Sequence, residues 1–170
     1  MIRTQLILGG ARSGKSRRAL ELAQKASNRP VFIATAEAWD DEMAERIARH
    51  KTERGAEWSS IEAPLALVEA LEEAPEKGDV CVVDCLTLWL SNLMHHDRNV
   101  DVESKRFCDA ISSPTIPVIL VSNEVGLGLV PETSLGRAFR DAQGRLNQQM
   151  ANVCDRVEFI AAGLPITLKG

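Results

Sequence analysis

The sequence has no apolar run near the roughly 18 residues that a membrane-crossing helix needs. Its first residues lack the charged and apolar regions of a secretory leader. A cytoplasmic chain with no membrane attachment is therefore expected. It also lacks a basic excess: 20 Lys and Arg against 24 Asp and Glu leave a net charge of −4, so no general positive field gathers nucleic acid. There is no internal repeat, low-complexity tract or linker, and the 170 residues are expected to form one domain over 1–170. Cys81, Cys85, Cys108 and Cys154 include one four-residue spacing but no second Cys or His pair to complete a metal site. Cys81 sits in the apolar run Val80-Cys81-Val82-Val83, where a thiol behaves as a small hydrophobe. All four read as reduced and structural. The tetrapeptide Asn-Lys-x-Asp, with which switch GTPases read guanine, is missing as well.

What is present starts at residues 9–16, Gly9-Gly10-Ala11-Arg12-Ser13-Gly14-Lys15-Ser16. This is G-x-x-x-x-G-K-S, the P-loop pattern. The apolar run Gln5-Leu6-Ile7-Leu8 precedes it as a strand, and the stretch from Arg17 to Ala23 follows it as a helix. Glycines let backbone N–H groups converge on phosphate oxygens, and the helix start adds the positive end of its dipole. Lys15 is expected to reach the β- and γ-phosphates, and the Ser16 hydroxyl to ligate Mg²⁺.

The rest of the chain alternates strands and helices. Strands are expected at 30–36, 79–84, 117–122 and 156–161, with a short extended piece at 58–61. Helices are expected after Asp40-Asp41-Glu42 up to Gly55, at 65–74, 85–94, 104–111 and 135–154. Residues 75–78 read as a turn and 95–104 as a loop, and Gly163-Leu164-Pro165 as the turn into an antiparallel edge strand, 166–169. The fold class is α/β: a P-loop NTPase-type, mostly parallel sheet flanked by helices, with an antiparallel C-terminal edge hairpin. Such sheets bind ligands beyond the carboxyl ends of their strands. Polar or glycine-rich clusters lie there, at 9–16, 34–37, 84–87, 122–128 and 162–165.

Three further clusters bear on chemistry. Asp84 ends the run Val-Cys-Val-Val and, with a P-loop upstream, reads as the acid that holds Mg²⁺ or its water shell. Residues 46–54, Arg46-Ile47-Ala48-Arg49-His50-Lys51-Thr52-Glu53-Arg54, surround one histidine with cations. Arg46, His50 and Arg54 share a helix side, where like charges repel; a polyphosphate would offset that cost. From composition alone a solvated basic face is the favoured reading, although a neutral imidazole is a competent nucleophile. The stretch from Ser122 to Pro131 combines Glu124 with glycines that permit close backbone approach, and reads equally as a substrate loop or a mobile surface loop. Arg137, Arg140, Asp141, Arg145 and Asn147 make a charge-rich helix start, and His95-His96 read as surface histidines.

Taken together these stretches resemble the bifunctional adenosylcobinamide kinase/adenosylcobinamide-phosphate guanylyltransferases of cobalamin biosynthesis. The likeness rests on the P-loop, Phe32-Ile33-Ala34-Thr35-Ala36, Asp41-Glu42-Met43, and Arg46-Ile47 through His50 to Arg54. It continues through Trp58, Glu62, the stretch Asp84-Cys85-Leu86-Thr87-Leu88-Trp89-Leu90, Asn123-Glu124-Val125-Gly126, and Ala162-Gly163-Leu164-Pro165. The resemblance implies two reactions: phosphorylation of adenosylcobinamide by ATP or GTP, then transfer of GMP from GTP to adenosylcobinamide phosphate through a guanylylated histidine, here His50. It also implies nucleotide contacts from Ala34, Thr35, Ala36, Glu37, Lys51, Thr52, Glu53, Arg54, Glu62 and Asp84, and a trimeric homo-oligomer. Two other readings stay open: a plain small-metabolite P-loop kinase with His50 a surface residue, and a nucleotide-dependent switch acting through a partner protein.

Overall fold

A computed structural model describes residues 2–37, 55 and 57–170. The predicted helix after Asp40, and with it His50, Lys51, Thr52, Glu53 and Arg54, lies outside the described residues.

The sheet is built from β1 (Thr4–Gly9), β2 (Pro30–Ala34), β3 (Ser59–Glu62), β4 (Val80–Asp84), β5 (Val118–Asn123), β6 (Arg156–Ala161) and β7 (Leu164–Lys169). Their lateral order is β3-β2-β4-β5-β1-β6-β7. Every pairing is parallel except β6 with β7, so the expected class and the antiparallel edge hairpin both hold. The order puts β5 between the P-loop strand β1 and the Asp84 strand β4. The helices are α1 (Lys15–Ala26), α2 (Leu67–Lys77), α3 (Leu86–His95), α4 (Val100–Ile111) and α5 (Ser134–Val153).

The central strands β1, β2, β4 and β5 are mostly apolar because both faces are covered, whereas the edge strand β7 is exposed along its length. In β4, Val80 and Val82 point to one face and Cys81 and Val83 to the other, the period-two consequence of the pleat. On the first face the small residues Ala19 and Ala23 let α1 lie close to the sheet, beside Ile7, Phe32 and Trp58. On the other, larger face Leu67, Leu86, Trp89, Leu90, Phe107 and Leu146 pack against Leu6, Ile33 and Leu120. Trp89 and Phe107 meet at a centroid distance of 5.4 Å, and the indole N–H donates to the Leu65 carbonyl at 3.0 Å.

Several expected boundaries moved, among them the C-terminal turn: Leu164 and Pro165, expected in the turn, already pair with Ala161 and Ile160 as the start of β7. Residues 75–78 do not form a turn: Pro75 lies within the last turn of α2, which runs to Lys77. Fully buried Ala74 anchors that turn, and the Gly78 N–H closes it on the Ala74 carbonyl. Helix α4 starts at Val100, not at 104, because the Asn99 side chain accepts from the Val102 N–H and Asp101 and Glu103 sit in the first turn, where the helix dipole favours acid. The short extended piece at 58–61 is a full parallel strand, β3, at the sheet's edge.

Candidate functional site

The phosphate loop joins β1 to α1. Backbone geometry follows its sequence: Arg12 has φ 56 and Gly14 has φ 101, both left-handed. Gly9 is packed from two sides, since a Cβ there would stand 2.6 Å from the Ile160 carbonyl oxygen and 2.7 Å from Ser13 Oγ. Gly14 is the N-cap of α1 and no side chain caps the helix. Helices α4 and α5 are capped by Asn99 and Thr133, whereas α2 and α3, like α1, carry no side-chain cap. The first N–H groups of α1 are thus turned toward whatever anion the loop receives. Ser13 Oγ is buried and makes no hydrogen bond among the described residues.

Lys15 is the charged member of the loop and is only 7% exposed. Its Nζ donates to the Gly10 carbonyl at 2.5 Å. Burial pushes its pKa below the usual lysine range, opposed by the negative character of Cys85 and Asp84. The Cys85 thiol is itself pushed up to about 11 by burial, so near neutrality Asp84 is the charge that counts. A largely buried ammonium that feels a carboxylate two strands away, at the same carboxyl end of the sheet, is arranged to meet a polyphosphate.

Register places three of the expected nucleotide residues in one row. Glu62 pairs with Ala34, and Ala34 with Asp84. Adjacent strands are about 4.8 Å apart, so Glu62 and Asp84 stand two strands, on the order of 10 Å, from each other. On the far side of β5, Gly9 pairs with Asn123, and the Glu124 N–H donates to the Gly9 carbonyl at 3.0 Å. Across β5 the row passes from Asp84 to Val121 and Ile7, so the phosphate loop starts two residues beyond it, at the carboxyl end of β1.

Thr35 and Glu37 have partners of their own. The Thr35 hydroxyl, fully buried, donates to the Cys85 carbonyl at 2.7 Å and accepts from the Cys85 N–H at 2.8 Å, across a cis Asp84–Cys85 peptide. It ties the end of β2 to the residue after Asp84. Glu37 lies 3.1 Å from His96 Nε2, so one of the two unassigned histidines stands at the edge of this region. The charge-rich start of α5 is occupied locally: Arg137 donates to the Pro131 and Glu132 carbonyls, and Arg140 pairs with Asp141 at 3.1 Å. Glu124 accepts from the Gly126 N–H at 2.6 Å.

Sequence reasoning missed a buried polar frame behind the row. The Asn92 side-chain amide, 3% exposed, donates to the Thr35 and Pro64 carbonyls at 2.8 and 3.0 Å. Gln143, fully buried, donates to Ser122 Oγ and Asn147 Oδ1, both at 2.9 Å. Asn147 holds the Asn123 carbonyl at 3.0 Å, and Thr87 Oγ1 accepts from the Asn123 N–H at 2.8 Å. The signal was available: Asn92 interrupts an apolar helix, and Gln143 and Asn147 stand at i, i+4 among core positions of α5, where an amide must find partners.

The family model for cobinamide kinase / cobinamide phosphate guanyltransferase matches residues 5–168. The chain is 48% identical over 167 residues to the bifunctional adenosylcobalamin biosynthesis protein CobP of Pseudomonas aeruginosa, covering 97% of this chain and 96% of that protein. It is 36% identical over 179 residues to the CobU protein of Salmonella typhimurium, at 96% and 98% coverage. Among solved structures, the flagellar accessory protein FlaH from Methanocaldococcus jannaschii superposes with TM-score 0.55 at 15% identity, covering 98% of this chain and 78% of that one. A type III secretion system ATPase gives TM-score 0.56 at 11% identity, with 97% and 56% covered. These two likenesses concern the fold alone.

Proposed function

The chain belongs to the cobinamide kinase / cobinamide phosphate guanyltransferase family, and on that premise we propose that its two reactions run on one phosphate-loop domain over residues 1–170, with His50 as the covalent carrier of GMP. The observation that carries this reading is the buried Lys15 in the phosphate loop, at the same carboxyl end of the sheet as the register row of Asp84, Ala34 and Glu62.

In the kinase step the aminopropanol hydroxyl of adenosylcobinamide attacks the γ-phosphorus of ATP or GTP and releases its proton to solvent. The bond to the β–γ bridging oxygen breaks and the nucleoside diphosphate leaves. Lys15 exchanges the Gly10 carbonyl for phosphate oxygens, and the first N–H groups of α1 take the others. A Mg²⁺ ion fits the donors present: the Ser16 hydroxyl and the Asp84 carboxylate are hard oxygen ligands. When bound, the ion would neutralise charge on the β- and γ-phosphates.

In the transferase step a His50 ring nitrogen attacks the α-phosphorus of GTP and pyrophosphate leaves. A phosphate oxygen of adenosylcobinamide phosphate then displaces the histidine, breaking the P–N bond and giving adenosylcobinamide-GDP. Two in-line displacements replace one. Lys51 and Arg54 are assigned to the triphosphate, along with Thr52 and Glu53 at its margin. Glu62 is assigned to guanine, because a carboxylate accepts from both N1–H and N2–H₂ and adenine offers no such pair. The same reading makes the enzyme a cytoplasmic trimer.

The test supplies adenosylcobinamide with Mg²⁺ and ATP, then GTP, and follows products by mass. Adenosylcobinamide phosphate followed by adenosylcobinamide-GDP is the expected sequence. Phosphorylation without GMP transfer would reduce the protein to a plain kinase, and nucleotide hydrolysis without an acceptor product would make it a switch.

A further inference from the structure

The turn between β6 and β7 stands against the phosphate loop at three points. Gly9 pairs with Ile160 in register, so closely that a Cβ on Gly9 would lie 2.6 Å from the Ile160 carbonyl oxygen. A Cβ on Gly14 would lie 3.4 Å from the Gly163 Cα. Between these contacts the Gly163 N–H donates to the Ser13 carbonyl at 2.9 Å.

The turn is built to free that donor. Ala161 pairs with Leu164, leaving Ala162 and Gly163 as the two central residues, with φ 50 and φ 80. Positive φ at both is the type I′ hairpin turn, in which the N–H of the second central residue has no partner in the ladder. Left-handed backbone is unfavourable for an alanine, yet Ala162 adopts it. The donor that the turn leaves over is spent on Ser13.

The consequence follows from peptide planarity. In a trans peptide the carbonyl of one residue and the N–H of the next point in opposite directions. Holding the Ser13 carbonyl toward the hairpin aims the Gly14 N–H away from it. We propose that Gly163 is a positioning residue: its amide fixes the Ser13–Gly14 peptide so that the Gly14 N–H faces the nucleotide's phosphate. The proposal rests on the phosphate-loop reading above and extends it to the C-terminal hairpin.

Native Cys154 permits a direct test. A synthetic peptide of residues 154–170 is ligated to residues 1–153, with either the natural amide or an ester at the 162–163 linkage; the ester removes the Gly163 N–H and weakens the Ala162 carbonyl as an acceptor, leaving every side chain in place. Nucleotide-free melting temperature and the dissociation constant for ATP with Mg²⁺ are measured on both chains. The ester chain is expected to bind about tenfold more weakly, the cost of releasing one donor to a charged group. Gly163→Ala in the expressed chain, strained at φ 80, is expected to move affinity the same way. Thr167→Ala, which removes the Arg156 contact at 3.2 Å further along β7, is expected to lower the melting temperature and leave affinity within about twofold. Ester binding within twofold of the amide chain would overturn the proposal. So would an equal loss of affinity in Thr167→Ala, or failure of both the ester and Gly163→Ala chains to fold, since the hairpin would then act through stability. A wild-type expressed chain that binds no nucleotide would instead overturn the phosphate-loop reading itself.

Discussion

At the scale of single residues, charge burial separates function from stability. Lys15 is largely buried, and burial lowers its pKa, so its ammonium costs the empty protein stability that a bound polyphosphate returns. Lys15→Met is expected to leave the melting temperature of the empty protein unchanged or raised, while kinase turnover falls by on the order of a hundredfold or more; calorimetry and a phosphoryl-transfer assay read the two effects separately. Glu158 is the opposite case. It is 1% exposed, and Arg18 and Arg156 hold its carboxyl below the ordinary carboxylate value of 4.5. A carboxylate whose folded pKa is depressed contributes stability in full above its unfolded value and loses it as pH falls through the folded one. Glu158→Gln is therefore expected to cost about 2 kcal/mol near neutrality, with the difference from wild type shrinking as pH falls below 4.5. Denaturant melts at pH 7 and pH 3 compare the two. The thiols match their assignment as structural: burial pushes Cys81 and Cys154 up to about 12 and Cys85 to about 11.

At the scale of elements, the site is a set of strand ends held in register by side chains that never need to touch a nucleotide. Thr35 makes two hydrogen bonds to the Cys85 backbone, and Asn92 then holds Thr35. Thr35→Val keeps the shape and removes both bonds, leaving a buried N–H and a buried carbonyl unmet. It is expected to cost about 2 kcal/mol, or roughly 6 °C in melting temperature for a chain of this size, and to weaken activity through the displaced Asp84. The alternation of strand and helix was legible, because apolar runs and helical stripes are local and periodic. The buried polar frame was not, because nothing local says that Gln143 on α5 will meet Ser122 on β5. Pro75 misled for the same reason: its local signal says stop, whereas the buried Ala74 keeps the last turn of α2 in place.

At the scale of the molecule, the phosphate loop shares the carboxyl end of the sheet with a row of candidate residues rather than standing as an isolated motif. The sheet order inserts β5 between β1 and β4, and register then lines up Asp84, Ala34 and Glu62 beyond the loop. The motif announced the loop at once, since its eight residues fix their own geometry. Glu62 carried no local signal and stood out only through resemblance, because its meaning depends on a strand pairing. No helix among the described residues is long and apolar enough to cross a membrane. GTP with Mg²⁺ at a hundredfold excess over its dissociation constant is expected to stabilise the fold by about 2.7 kcal/mol, and Lys15→Met to abolish that shift; thermal melts with and without nucleotide check it.

The central claim is that one small domain carries a second reactive centre at His50, in addition to its phosphate loop. Incubating the protein with GTP radiolabelled at the α-phosphate, then splitting the denatured protein between acid and base, tests it most directly. Label on the wild-type chain is expected to survive base and be released by acid, as a phosphoramidate requires, and His50→Ala is expected to carry none. Label of undiminished amount on His50→Ala, or none on the wild type under conditions where adenosylcobinamide-GDP is formed, would contradict it.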